Sequence, residues 1–483
     1  MTDIIDYFLQ QCRQQPEHPA VIEGGRVHSY ADLQQRVMGW AAALAAFGIA
    51  HPRVLIHLPA GADAYAAMLA TAAAGGYYAP TNVTAPQARQ QLVAAQFDPE
   101  IIITTAALRQ ELTSPLPSLV GWIDCAAPLP TPLSAPRPAD DLIYVLFTSG
   151  STGIPKGVMI PREGLNHYVA WALSAMAVTP SDRWSQHPNI AFDLSVLDIY
   201  GALCGGATLL PLTSRQDRLL PAMAIRRHGL TIWNSVPSVV DLMLQSQQLT
   251  SDHLSSLRLA TFCGEPLLPH HVEALFTARP ELQIHNTYGP TEATVSCTLL
   301  PLQRDNYQQF ARSTLAIGDA IAGMATHLTA EGELVITGPQ LARGYWRNPG
   351  ETARVFRTLS VDGVAQPAYF TGDCCTQIDG QIYFRHRLDH QVKIHGHRLE
   401  LDEVNHALRR CGFAAACSTL VAGDLHAFIE TAAPLDSDAL RQQLQGILPD
   451  YAIPKWFHAR TQLPRNSNDK IDMPALVTSL KDG

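Results

Sequence analysis

The sequence predicts an α/β protein: a large N-terminal domain of parallel-rich sheets flanked by helices, then a small α+β domain. Two observations carry this. Helical patterns alternate with short apolar runs, "RVLIHL" (53–58), "EIIITT" (100–105), "DLIYVLFTS" (141–149) and "ATLLPL" (207–212), as parallel strands joined by crossover helices require. After about residue 330 the texture turns to shorter strand-like pieces, "GELVITG", "QIYFRHR" and "QVKIHGHRLEL", and the tail from His390 is under 100 residues long.

In chain order, "MTDIIDYFLQQCRQQPEHP" reads as an amphipathic helix ending near Pro16. No basic region precedes an apolar core there, so no secretory signal is visible. The alanine-rich stretch from Trp40 to Ala74 is broken by Pro, His, Arg and Asp well short of a membrane span. "APLPTPLSAPRPADD" (127–141) is a proline-rich surface linker. At 483 residues the chain exceeds a single core, and 47% hydrophobic with 16% charged residues is a globular balance. A net charge of -9 without any Lys/Arg run argues against nucleic acid. Nine cysteines without a C-x-x-C pair fit neither a zinc site nor a disulfide framework, so a reducing, cytoplasmic setting is expected.

The linker leads into "LFTSGSTGIPKGVM" (146–159), where seven of the ten residues from Thr148 to Gly157 are Gly, Ser or Thr. Such a loop offers backbone amides, hydroxyls and the Lys156 cation to an anion, as phosphate sites do. It is not the familiar P-loop, because Lys156 precedes Gly157 and not Ser or Thr. Taken alone, it also reads as a flexible solvent loop.

The loop does not stand alone. "AFDLSVLDIYG" (191–201), "NTYGPTEATV" (286–295), "GELVITGPQLARGYW" (332–346), "YFTGDC" (369–374), "RLDHQVKIHGHRLELDEV" (387–404), "LPDYAIP" (448–454) and "NDKID" (468–472) follow it in order. Together they resemble the adenylate-forming superfamily of acyl-CoA synthetases, luciferases and nonribosomal peptide synthetase adenylation domains. The resemblance covers nearly the whole chain. The variants "FDLSV", "FCGE" and "NTYGPTEATV" look closest to stand-alone D-alanine–carrier protein ligases.

The resemblance implies a core spanning 1–388 and a mobile lid spanning 389–483, with Asp389 as the hinge. It implies ATP with Mg²⁺, a small amino acid, and a separate carrier protein with a phosphopantetheine arm; no membrane partner is implied. Thr148, Ser149, Gly150, Ser151, Thr152, Gly153 and Lys156 would hold the β- and γ-phosphates. Asn286 and Tyr288 would contact adenine, with Thr287 and Gly289 in the same nucleotide-binding stretch, Thr291 the α-phosphate, and Glu292 the Mg²⁺, a hard cation that prefers oxygen. Asp373 and Arg387 would hold the ribose. His386 stands where the family usually has Gly. Lys470, in an "NDK" where "NGK" is usual, would bridge the substrate carboxylate and α-phosphate as charge accumulates. Thr291, Glu292 and Lys470 are thus the expected catalytic set.

For the substrate, Asp193 matches the carboxylate that pairs with an amino acid's α-ammonium, although an Asp ahead of an apolar run is equally a helix N-cap. Leu194, Leu197, Asn234, Thr261, Cys263, Gly264, Thr287, Val295 and Ser296 would line the rest. Asp193 alone is charged among them, which points to a small side chain: alanine, D-alanine included, or Gly, Ser, Thr or Cys. The alternatives are an acyl-CoA ligase, against which Asp193 speaks, and a catalytically silent nucleotide-binding homologue. His386, His390, His395 and His397 crowd together, but no carboxylate or Cys spacing of a known metal site accompanies them.

Overall fold

The computed structural model describes residues 2–150, 153–389, 391–394, 396–413, 415–465 and 471–480. Its large N-terminal domain is sheet-rich and its C-terminal domain smaller.

A six-stranded sheet runs in the order Gly121–Asp124, Ile101–Thr104, Arg53–His57, Tyr77–Pro80, Leu142–Thr148, Lys156–Pro161. Its first five strands pair in parallel, as the alternation of helix and apolar run predicts. The last pair is antiparallel, Thr148 facing Lys156. The physical reason is length: residues 149–155 are too few for the crossover that a parallel return needs. The glycine-rich loop is therefore a hairpin tip.

A nine-stranded sheet packs beside it. Its centre, Gln283–Tyr288, Leu259–Phe262, Ile232–Ser235, Arg183–Gln186, Thr208–Pro211 and Pro19–Glu23, is parallel. Antiparallel strands close both edges. Between the sheets runs helix Leu194–Gly205, "LSVLDIYGALCG", which is apolar nearly all round and buries almost every residue, Asp198 included. Gly201 is required there, since a Cβ would meet the Trp184 ring. The helix ends at Gly206 with φ +81°. The third sheet, antiparallel throughout, centres on the long strand Val364–Ile378.

The C-terminal domain begins with the hairpin Gln391–Ile394 and His397–Glu400, then helix Leu401–Arg410. A sheet of Ala416–Val421, Asp424–Glu430 and Trp456–Arg460 follows. It has its own core of Leu399, Val404, Leu408, Ala427, Ile429 and Leu444. Among the described residues no helix is long and apolar enough to cross a membrane, and all nine cysteines are free thiols.

Candidate active site

The hairpin tip is glycine-dependent. A Cβ on Gly150 would overlap the Ile154 carbonyl oxygen, and Gly153 holds φ +75°. The Gly153 amide donates to the Gly150 carbonyl (2.9 Å), tightening the turn. Thr148 and Ser149 enter it and Lys156 leaves it; Ser151 and Thr152 lie outside the described residues. The Lys156 ammonium, largely buried, stands 3.3 Å from Glu351 and 3.2 Å from Glu400. The Ser149 hydroxyl donates to the Arg398 carbonyl (2.7 Å).

Strand Gln283–Tyr288 brings Asn286, Thr287 and Tyr288 to the same end of the sheets, all buried. Asn286 donates to the Ala316 carbonyl (2.7 Å), and the Tyr288 hydroxyl donates to Asp373. Gly289 passes so close to the Ser296 backbone that no Cβ fits. Beyond it, Thr291–Ala293 make one 3₁₀ turn, and Thr294 and Val295 follow at φ +54° and +70°. Val295 is a β-branched residue in the left-handed region, a strained position of the sort that concentrates at functional sites. Within the turn Glu292 is buried to 0% exposure.

Glu292 accepts the Tyr345 hydroxyl (2.6 Å) and the Arg398 guanidinium (2.8 and 2.9 Å). Burial alone would raise its pKa, but Arg398 and Tyr345 outweigh burial and hold it below the usual value. A buried, ionised carboxylate demands a cation. Its oxygens suit Mg²⁺ as well as they suit a guanidinium.

Asp373 faces Arg387 across the antiparallel pair and is ion-paired to it at 2.7 Å. Arg387 also reaches Asp389 (2.8 and 2.6 Å), whose carboxylate accepts the Gln391 amide. His386 is an exposed strand residue opposite Cys374 without a positive φ, so this position needs no glycine here. Lys470 lies outside the described residues.

Asp193 precedes helix Leu194–Gly205 but makes no capping hydrogen bond; its carboxylate accepts the Thr291 hydroxyl (2.5 Å). Burial pushes its pKa up to about 6, opposed by the Thr291 hydroxyl and the Lys393 charge. Two cavities meet at Asp193, Thr291 and Arg398. One, about 890 Å³, reaches Thr148 and Ser149; the other, about 540 Å³, runs from Asp373 and Arg387 to Leu194, Gly264, Cys263 and Val295. Leu197, Asn234, Thr261, Thr287 and Ser296 are buried and do not line the second cavity. The Asn234 amide is engaged by the Leu194 carbonyl (3.2 Å) and Asp198 (2.9 Å). The small chamber therefore ends at Leu194, Cys263 and Val295.

The family pattern described as AMP-binding enzyme matches residues 8–346, and those residues carry the hairpin tip, Asp193 and the strained turn. The chain belongs to the AMP-binding enzyme family. Curated relatives of this AMP-binding enzyme include the D-alanine–D-alanyl carrier protein ligase of Lactiplantibacillus plantarum, 32% identical over 99% of this chain and 98% of the relative. The L-proline–[L-prolyl-carrier protein] ligase of Pseudomonas fluorescens is 31% identical over 96% and 97%. The solved Vibrio cholerae adenylation domain AlmE, in complex with glycyl-adenosine-5'-phosphate, superposes with a TM-score of 0.85 at 26% identity, covering 99% and 98%.

Four participants escaped the sequence reading: Arg398, Glu400, Tyr345 and Glu265, whose carboxylate accepts the Gly396 amide (2.7 Å). Arg398 and Glu400 stand inside the quoted "HGHRLEL", but nothing local marks their partners. The histidines near residue 390 do not converge among the described residues: His386 is exposed and His397 stacks on Tyr451 (4.0 Å), while His390 and His395 lie outside. Among the described residues, Asp241, His270 and His271 do converge. There the Leu268 amide points at His271 Nδ1 (3.3 Å), which leaves the proton on Nε2 facing Asp241. A metal-bound histidine has the opposite polarity, donating from its second nitrogen.

Proposed function

We propose that this AMP-binding enzyme activates a small amino acid, alanine or D-alanine in the first place, as its adenylate. The acyl group then passes to the phosphopantetheine thiol of a separate carrier protein. The observation that supports this most is Asp193: a buried carboxylate beside a chamber closed by Leu194, Cys263 and Val295. A buried carboxylate is costly without a partner, and an α-ammonium supplies one that a fatty or aryl acid lacks. The D-alanine ligase relative and the glycyl-adenylate bound to AlmE agree with so small a substrate.

In this reading the amides and hydroxyls of residues 148–153, with Lys156, bind the β- and γ-phosphates. Thr291 donates to the α-phosphate, Tyr288 stacks on adenine, and Asp373 accepts the ribose hydroxyls while Arg387 orients it. Glu292 would hold Mg²⁺, which when bound offsets phosphate charge. Lys470, delivered by the lid, would neutralise the charge that accumulates between substrate carboxylate and α-phosphate. We set the domain boundary at 388/389, with Asp389 as hinge, because its carboxylate ties Arg387 of one domain to the Gln391 amide of the other. Gly396 would let the pantetheine arm approach the backbone. The free thiols fit a cytoplasmic setting.

The test is ATP–pyrophosphate exchange with single amino acids and labelled pyrophosphate. Exchange with D- or L-alanine, glycine, serine or threonine supports the reading. Exchange only with fatty or aryl acids makes the protein an acyl-CoA-type ligase, and none at all makes it a silent nucleotide-binding homologue.

A further inference from the structure

Beneath the small chamber lies a layer of buried polar groups that the adenylation reading leaves unused. Asp198, one turn beyond Leu194 on helix Leu194–Gly205, is fully buried. Its Oδ1 accepts the Trp184 indole N–H (3.1 Å) and the Asn234 amide (2.9 Å). The same Asn234 nitrogen donates to the Leu194 carbonyl (3.2 Å), so both amide hydrogens go to one helix. A carbonyl can only accept, and this fixes which edge of the amide faces the helix. The Asn234 oxygen lies on the other edge, and among the described residues it has no hydrogen-bond partner. Thr261 stands beside Asn234 in register on the neighbouring parallel strand, and its buried hydroxyl is likewise unpartnered. Buried polar atoms without partners are uncommon. A hydroxyl between these two would donate to the Asn234 oxygen and accept from Thr261.

We infer that Asp198 is a positioning residue for substrate selection: through Asn234 it braces the first turn of helix Leu194–Gly205 and keeps this hydroxyl slot shut off from the chamber. The inference rests on the adenylation reading above and supplies a physical cause for a preference for small side chains. The brace acts on the two residues that measure the substrate. Asp193, the ammonium anchor, makes no capping hydrogen bond, so the turn it begins has no side-chain cap of its own. Leu194, the next residue, is a chamber wall, and its carbonyl is what Asn234 grips. The span from anchor to wall sets how long a side chain fits. Cys263 closes the other side. It follows Thr261 by two residues and its amide continues the strand ladder onto the Ser235 carbonyl (3.3 Å), so the two side chains face the same way. Cys263 lines the chamber and Thr261 does not. Leu194 and Cys263 thus partition the chamber from the slot, and a methyl side chain ends at the partition. Burial drives the Asp198 carboxyl toward its neutral form, against the hydrogen bonds from Asn234 and Trp184. A neutral acid there brings no charge beneath the chamber to attract a basic side chain.

Pyrophosphate exchange on the full chain, with alanine and serine of the same chirality, tests the brace. Asp198→Ala removes the acceptor and frees the Asn234 amide. The ratio of kcat/KM for serine to that for alanine should rise about tenfold, through KM, while the KM for ATP holds. Asp198→Asn keeps an acceptor oxygen at the same volume and should retain the parent ratio. An unmoved ratio in Asp198→Ala, or an Asn variant displaced as far as the Ala variant, overturns the inference. So does an unmodified chain that takes serine as readily as alanine. Because Asp198→Ala also strips the Trp184 indole of its acceptor and can unfold the protein, Cys263→Ala tests the slot with the brace in place. It should lower the KM for serine about tenfold relative to alanine, and adding Asn234→Leu should abolish that gain. No gain, or a gain that survives the loss of Asn234, overturns the inference as well. If the unmodified chain shows no exchange with any small amino acid, the adenylation reading itself has failed. Exchange whose selectivity is indifferent to Asp198 and Asn234 sinks the brace alone.

Discussion

Asp193→Asn separates two consequences of one buried charge. In the ligand-free protein, burial lifts this carboxyl from 3.8 to about 6, against the pull of the Thr291 hydroxyl and Lys393. The folded state therefore binds the proton more tightly than the unfolded chain, and ionisation costs stability at every pH above the folded value. A tenfold change in proton affinity is worth about 1.4 kcal/mol, so the cost approaches about 3 kcal/mol at neutral pH and above. The Asn oxygen still accepts the Thr291 hydroxyl, which now stands 2.5 Å from the carboxylate. The variant should accordingly melt roughly 4 °C higher than the natural protein near pH 8. That advantage should shrink as the pH falls through about 6 and vanish below about 4, where Asp193 is protonated in both states.

Under the proposed function the same substitution removes the partner of the substrate ammonium, and amino-acid affinity should fall by about a hundredfold or more. In the natural protein, affinity should weaken as the pH drops below about 6, because a protonated Asp193 no longer attracts a cation. Thermal melts across this pH range and the amino-acid dependence of pyrophosphate exchange measure both effects. A variant no more stable than the parent at alkaline pH, or one with unaltered amino-acid KM, refutes the assignment.

Three further outcomes are expected. Gly396→Ala forces a side chain into a φ of +79° and onto Val236, so transfer to pantetheine should fall well below the level to which pyrophosphate exchange falls. The ratio of the two rates is the readout. Asp373→Asn leaves Arg387 without its 2.7 Å partner and removes the ribose acceptor, and should raise the KM for ATP by about ten- to a hundredfold. Lys470→Ala should nearly abolish adenylate formation while ATP affinity by calorimetry stays within a few fold, because the ammonium acts on the transition state. Equal loss in both would make its role structural.

Much of the architecture was legible because burial writes itself into local sequence. "EIIITT" and "DLIYVLFTS" could be strands of little else than a covered parallel sheet, and both are. The antiparallel edges were not legible, since the direction of a pairing depends on a partner strand and on the length of the connection. Asp193 illustrates the intermediate case: it stands at the start of helix Leu194–Gly205, as an N-cap would, yet its side chain makes no capping hydrogen bond and accepts the Thr291 hydroxyl, a partner 98 residues away that no local pattern announces. Asn234 was read as pocket wall, yet its amide is engaged by the Leu194 carbonyl and Asp198. Arg398 and Glu400 could not be found at all. Their partners Glu292 and Lys156 lie 106 and 244 residues away in the chain, and only folding brings those charges together.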